Sequence, residues 1–119
     1  MSLNISTKHH INCNEIILEG SALSDLDFEP LLDSVNKYID GGESNIIINL
    51  EKVKLLNSLG INTLIKIFTR CRNQGGEMYI VNISDKISQV LLLTKLNTVL
   101  NIAASLNDAI NKFALDNEG

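Results

Sequence analysis

N-I-I-I-N-L-E-K-V-K-L-L-N-S-L-G-I-N-T-L-I-K-I-F-T-R-C-R-N-Q-G-G, from Asn45 to Gly76, decides the reading of this chain. Ile46-Ile47-Ile48 is a β-branched run flanked by polar residues, the pattern of a central strand covered on both faces. After the polar turn Asn57-Ser58-Leu59-Gly60, apolar side chains recur at Ile61, Leu64, Ile65, Phe68 and Cys71. Steps of three and four residues trace one face of a helix, predicted over Ser58 to about Asn73, with Asn62, Lys66, Thr69 and Arg70 facing solvent. Gly75-Gly76 supplies the left-handed residue on which helices commonly end. The unit is strand, polar turn, helix, with Ser58 at the hinge. A serine in that place can cap the first free N–H groups of the helix, or it can carry a function of its own.

Working outward, 119 residues suffice for one hydrophobic core, and a single domain over 1–119 is expected. No apolar run approaches the ~20 residues of a membrane span, and no basic segment followed by an apolar block marks a secretory signal. The net charge is −4 and the ten Lys and Arg residues are scattered, so no basic face is expected for duplex nucleic acid. With no Trp and few aromatics, a stacking platform for single strands is not expected either. Cys13 and Cys71 match no metal spacing and read as buried, reduced thiols of a cytoplasmic protein.

Toward the N-terminus, residues Ile5 to Ile11 alternate loosely and Glu15 to Glu19 follow an Asn12-Cys13-Asn14 turn, which predicts a hairpin. His9 and His10 point to opposite faces of a strand and have no acidic or cysteine partner at ligand spacing, so no metal site is expected. The small-residue loop 20–24 lacks the glycine spacing of a phosphate-binding loop. A helix from about Asp27 to Ile39 follows, with Pro30 in its first turn and a stripe of Phe28, Leu31, Leu32, Val35 and Ile39. Beyond Gly76, a strand is predicted over Glu77 to Val81. A helix capped by Ser84 then runs from Asp85 to about Thr94, with Ile87, Val90, Leu91 and Thr94 on one face. A short strand over Thr98 to Ile102 and a helix capped by Ser105 or Asn107, carrying Leu106, Ala109, Ile110, Phe113 and Ala114, complete the order β, β, α, β, α, β, α, β, α. That alternation predicts an α/β fold, an N-terminal hairpin followed by a mainly parallel sheet with packed helices.

Two groups of residues together resemble the STAS domain family, most closely its small stand-alone bacterial anti-sigma factor antagonists. One is the strand leading into Asn57-Ser58-Leu59-Gly60, the apolar helix and Gly75-Gly76-Glu77-Met78. The other is Asn82-Ile83-Ser84-Asp85-Lys86-Ile87, followed by Leu91, Leu92, Thr94, Leu96, Asn97 and Leu106-Asn107-Asp108-Ala109. The resemblance covers nearly the whole chain and implies a non-enzymatic, cytoplasmic partner-switching regulator of transcription with no cofactor. In that family the serine of an Asp-Ser-x-Gly motif is phosphorylated by a GHKL-type anti-sigma factor kinase, and the unmodified antagonist binds that partner. Carried over, the phosphorylated residue is Ser58, in a motif turn with Asn57, Leu59 and Gly60. The implied partner-binding residues are Ser21, Leu23, Leu59, Gly60, Ile61 and Asn62. The sequence departs from the motif at Asn57, where aspartate is usual, and at Leu59, where a small residue is common. Leu59 reads equally as a docking contact or a second core anchor. An acidic residue often found after the second strand is also lacking, near Leu23.

Two other readings stand beside this one. A hydrolase with Ser58 as nucleophile would need a histidine base, yet His9 and His10 belong to the hairpin and the Gly-x-Ser-x-Gly elbow is absent. An unphosphorylated STAS scaffold subunit of a larger signalling or transport assembly is the alternative that Asn57 raises. Oligomeric state has no signature in the sequence.

Overall fold

A triplet such as Ile46-Ile47-Ile48 must be covered on both faces, and the computed structural model, which describes residues 3–21, 25–54 and 56–118, shows what covers it. Side chains are described for all of these except residue 25 and residues 115–118. The order is β1 (Leu3–His9), β2 (Asn14–Gly20), α1 (Asp25–Asp40), β3 (Asn45–Lys52), α2 (Ser58–Asn73), β4 (Glu77–Val81), α3 (Asp85–Leu93), a 3-10 turn (Leu96–Thr98) and α4 (Leu106–Glu118). The four strands lie in the order β1-β2-β3-β4. β1 is antiparallel to β2, from Leu3 opposite Gly20 to His9 opposite Asn14. β2 and β3, and then β3 and β4, are parallel, with Asn45 beside Glu77 and Asn49 beside Val81.

Strand side chains alternate between faces. Ile46, Ile48 and Leu50 enter one core with Phe28, Leu31, Val35 and Ile39 of α1, Ile61, Leu64, Ile67 and Phe68 of α2, and Ile87 and Leu91 of α3. Ile47 faces the other way, into a smaller cluster with Val81, Cys13, Ala103 and, from α4, Ala109 and Phe113. There Tyr79 packs edge-on against Phe113, ring centroids 5.2 Å apart. α2 closes with Gly75 at φ 82°, and its chain re-enters the sheet beside the start of β3. A Cβ on Gly76 would overlap the Ser44 carbonyl oxygen, so this return passes only as glycine.

Several expectations are corrected. The strand over Thr98–Ile102 is a single parallel bridge between Ile80 and Ile102, preceded by the 3-10 turn. Two bonds hold it, from Ile80 N–H to Asn101 C=O and from Ala103 N–H to Ile80 C=O. Lys95, left-handed at φ 61°, tightens the chain just before and leaves too few extended residues for a ladder. α1 begins at Asp25, so Pro30 lies inside the helix rather than in its first turn. β1 ends at His9, and Ile11 sits in the hairpin turn at 95% exposure instead of continuing the strand. The phase of α2 is rotated: Ile67 and Thr63 are buried and Ile65 only half-buried, while Asn62, Lys66, Thr69 and Arg70 face solvent as expected. In α3, Ile87 and Leu91 are buried but Val90 and Thr94 are exposed. Of the two candidate caps for α4, Ser105 is the one used, its hydroxyl accepting from Asp108 N–H at 3.1 Å.

Candidate functional site

The site is built at the end of the sheet where the parallel strands exit. β3 ends at Lys52, Val53 N–H closes a turn on Leu50 C=O at 3.0 Å, and the chain enters α2 at Ser58. The cap of α2 is Asn57, not Ser58 as one reading of the turn expected. Asn57 is extended (φ −84°, ψ 179°), and its Oδ1 accepts the Gly60 N–H at 2.9 Å. Its carbonyl receives the first helical bond, from Ile61 N–H at 3.1 Å. Asparagine does this because a short side-chain oxygen reaches the third N–H of the helix. Ser58 is thereby released from capping. It is the first residue of α2, exposed, and among the described residues nothing bonds its hydroxyl.

Gly60 explains the spacing of the turn. It is buried, and a Cβ there would come 2.9 Å from Leu56 Cδ2 and 3.1 Å from Phe28 Cζ. Without a side chain, the first turn of α2 sits down on α1 and Ser58 is held at the rim. Leu59, half-buried, packs against the main core, which favours the anchor reading of that residue. The other wall is α3. Ser84 caps it by accepting from Ile87 N–H at 3.2 Å, and the same hydroxyl donates to Lys54 C=O at 2.8 Å. One serine thus ties the start of α3 to the loop that carries Ser58.

Between the walls lies a groove of about 450 Å³ lined by Leu56, Asn57, Ser58, Ile61 and Asn62 on one side and Val90, Thr94 and Leu96 on the other. Of the residues expected to bind a partner, Ile61 and Asn62 line the groove with Ser58, whereas Leu59 and Gly60 support it from beneath. Ser21 follows β2, whose exit end is beside that of β3, but it does not line the groove. Leu23 lies outside the described residues. Leu56, Val90, Thr94 and Leu96 were not foreseen. Their signal was the surplus of apolar residues in Val90-Leu91-Leu92-Leu93: a nine-residue helix on one face of a sheet cannot bury them all, and Leu92 and Leu93 are indeed exposed.

The histidines are at the opposite end of the sheet, where the strands enter. His9 Nδ1 lies 2.6 Å from Asn14 Oδ1 and His10 Nε2 lies 3.0 Å from Glu15 Oε1. His10 therefore has an acidic partner, contrary to expectation, because the hairpin folds residue 15 back beside residue 10. Among the described residues no three His, Cys, Asp or Glu side chains could share a metal ion. The length of β3, about 23 Å for seven steps, separates these rings from the Ser58 turn. Cys13 and Cys71 are buried free thiols, as expected. Burial, with a smaller push from Glu15, raises Cys13 from 9.0 to about 11. Burial and then Glu77, opposed by Arg70, raise Cys71 to about 12.

Comparison with known proteins meets this geometry at the family level. The model of the family described as the STAS domain matches residues 7–109. The chain belongs to the STAS domain family. Among curated relatives it is similar to the anti-sigma-B factor antagonist of Staphylococcus aureus (strain NCTC 8325 / PS 47). The two are 26% identical over 103 residues, covering 86% of this chain and 94% of the relative. Among solved structures it shares its fold with an anti-sigma factor antagonist from Mycobacterium paratuberculosis, with a TM-score of 0.78 at 18% identity and 95% of each chain covered. It also shares its fold with the Bacillus cell fate determinant SpoIIAA in the phosphorylated form, with a TM-score of 0.69 at 19% identity, 92% of this chain and 98% of that one being covered. Among the described residues, no helix of this STAS chain is long and apolar enough to cross a membrane.

Proposed function

We propose that this STAS protein is a partner-switching regulator, an anti-sigma factor antagonist whose partner is an anti-sigma factor with serine kinase activity of the GHKL type. Ser58 is the switch. The observation that carries the reading is the exposed Ser58 hydroxyl at the rim of the groove, with the cap supplied by its neighbour Asn57. The name of the Staphylococcus relative supports it. In the unmodified state the partner docks over the groove, on the apolar surface of Leu56, Ile61, Val90 and Leu96. In the kinase reaction the γ-phosphoryl group of ATP passes to Ser58 Oγ. A P–O bond forms, the hydroxyl proton is released and ADP leaves. The product adds roughly −1.5 to −2 charges at the rim, and desolvating that charge on docking opposes the complex. Ser58 is a substrate here rather than a catalytic group. The two buried thiols suit the cytoplasm, where such a partner works.

The test uses the anti-sigma factor kinase of the source organism, purified, with ATP. Intact mass is expected to rise by one phosphoryl group in the wild type and not in Ser58→Ala. In calorimetric titrations, Ser58→Ala should bind like the unmodified wild type and Ser58→Asp should bind more weakly by several kcal/mol. Equal affinities for all three proteins, with no phosphoryl transfer, would reject the switch. That outcome would favour a second reading, an unphosphorylated STAS scaffold subunit of a larger assembly, for which the observation is Asn57 in the place of the usual aspartate.

A further inference from the structure

Lysines flank the groove beside Ser58 on every side that the helices and loops define. On α2, Lys66 lies one turn beyond Asn62 on the same stripe; on α3, Lys86 lies one turn before Val90, on the stripe that continues to Thr94. Lys54 is on the loop that Ser84 ties to α3, and Lys95 stands between the lining residues Thr94 and Leu96. All four are exposed, and the ion pairs among the described residues use other groups, His10 with Glu15, Lys52 with Glu19 and Arg72 with Glu77. A helical turn is about 5.4 Å, inside the screening length of roughly 8 Å at physiological salt, so these charges reach whatever fills the groove.

The acidic residues lie elsewhere. α2 carries none. Asp25, Asp27 and Glu29 begin α1, which packs on the other flank of α2 where Phe28 approaches Gly60, and no residue of α1 lines the groove. Asp85, in the first turn of α3, is five residues from Val90 and off the stripe that faces the groove. The walls are two helices, so the groove offers no free strand edge, and an occupant must satisfy its own backbone. Resting on the docking reading above, we propose that the occupant is an amphipathic helix of the anti-sigma factor. Its apolar residues meet Leu56, Ile61, Val90 and Leu96, and acidic residues along its flanks meet the lysines. The apolar floor supplies the contact, and the charges fix orientation and speed the encounter.

The test titrates the purified anti-sigma factor kinase of the source organism, with ADP so that no phosphoryl group is transferred. It is run against the wild type, Lys66→Glu/Lys86→Glu, the neutral Lys66→Ala/Lys86→Ala, Ser58→Asp and, as a control on α1, Asp33→Lys. All these positions are exposed, and circular dichroism checks each fold. Salt is set at about 25 mM and then about 500 mM, screening lengths of roughly 20 and 4 Å. Wild-type affinity should fall about tenfold between the two. At low salt the charge-reversed variant should bind about thirtyfold more weakly, the alanine variant about fivefold, and Asp33→Lys within about twofold of the wild type. At high salt those differences should close to within about threefold. Benzophenone maleimide on Thr69→Cys, exposed on the stripe of Lys66, should cross-link a segment with apolar residues at helical spacing and Asp or Glu beside them; Cys13 and Cys71 are buried and do not compete. Unchanged or tighter binding by the charge-reversed variant, or a cross-link to a basic or extended segment, would overturn the proposal. So would lysine-dependent binding to vesicles of anionic phospholipid with the anti-sigma factor affinity unmoved. If Ser58→Asp weakens the complex and the charge-reversed variant does not, the acidic helix falls and the switch stands. If the charge-reversed variant weakens it and Ser58→Asp does not, the switch falls and the acidic helix stands.

Discussion

At the entry end of the parallel sheet, polar side chains begin a bonded network; at the exit end, the side chain of interest is exposed and its hydroxyl has no partner among the described residues. The network begins at the entry end with His10 and Glu15 and crosses the sheet to Asn82, just past the last residue of β4. Glu15, 1% exposed, also accepts from Asn49 Nδ2 at 2.8 Å. Asn49 Oδ1 accepts from Glu51 N–H at 3.0 Å and from Asn82 Nδ2 at 3.2 Å. Asn82 holds a left-handed conformation at φ 59° to reach it. No buried side-chain nitrogen or oxygen in the described residues lacks a partner. The two ends differ in what a polar group is for. A buried carboxylate is tolerable only when it is bonded, so the network spends its polar groups on one another across the strands. The Ser58 turn keeps its bonding capacity because Asn57 has taken over the local structural task.

The sharpest way to break this contrast is Asn49→Ala. It removes three bonds at once and leaves a buried carboxylate with His10 as its one partner among the described residues. A loss of about 3 kcal/mol is expected in urea denaturation, since bonds to charged groups are the costly ones to strand. Partner affinity per folded molecule should hardly change. A loss within experimental error would mean that water replaces Asn49 and that the buried network is not structural.

The ends also differ in how far they could be read from residues alone. Local periodicity places β3 and α2, because Ile46-Ile47-Ile48 and the apolar steps after Gly60 each fit one period. Ser84 was readable as a cap for the same reason, its position before a helical run. The phase of α2 was not, since Ile61, Leu64 and Phe68 are compatible with either Ile65 or Ile67 on the buried flank; the sheet beneath chooses Ile67. Asn57 and Ser58 are both good caps, and only the backbone shows which one is extended. The network joins residues 10, 15, 49 and 82, and no local pattern pairs a histidine with a glutamate across a hairpin or two asparagines across a sheet. The far wall of the groove was misread because Val90 and Thr94 share a helical stripe with the buried Ile87 and Leu91. The quantity that mattered was the amount of sheet available to cover it.

The thiols sharpen the comparison from another side. Cys13 precedes β2, and Cys71 lies in the last turn of α2, which returns to the entry end; each is buried beneath one face of the sheet. With their ionisation raised to about 11 and about 12, their thiolate fractions at pH 8 fall roughly a hundredfold and a thousandfold below those of ordinary thiols. Alkylation of the native protein at pH 8 should be slower by at least those factors than in urea. The sign for stability follows from the raised values. The contribution of the two protonated thiols is complete below pH 9, where the unfolded thiols begin to ionise, and it is lost as pH rises through about 11 and about 12. Rapid labelling of either cysteine in the native state would show the entry end to open, contrary to the closed structure described.

The smallest expected effect is the one that separates Asn57 from Ser58. Asn57→Ala removes the acceptor of the Gly60 N–H, a donor that the buried glycine presents to the inside of the turn. Losing an asparagine cap costs about 1 kcal/mol. Ser58→Ala removes a hydroxyl that nothing among the described residues bonds, from a position in the first turn where alanine is well tolerated. Its effect should stay within about 0.5 kcal/mol, the range of surface substitutions away from special features. Paired urea titrations of the two variants, with the double variant Asn57→Ala/Ser58→Ala alongside, decide between the caps. If Asn57 alone is the cap, the double variant should match Asn57→Ala. If Ser58→Ala proves the costlier change, the serine caps the helix after all, its hydroxyl is committed to the backbone, and the contrast between a structural end and a free end collapses at the residue on which it depends.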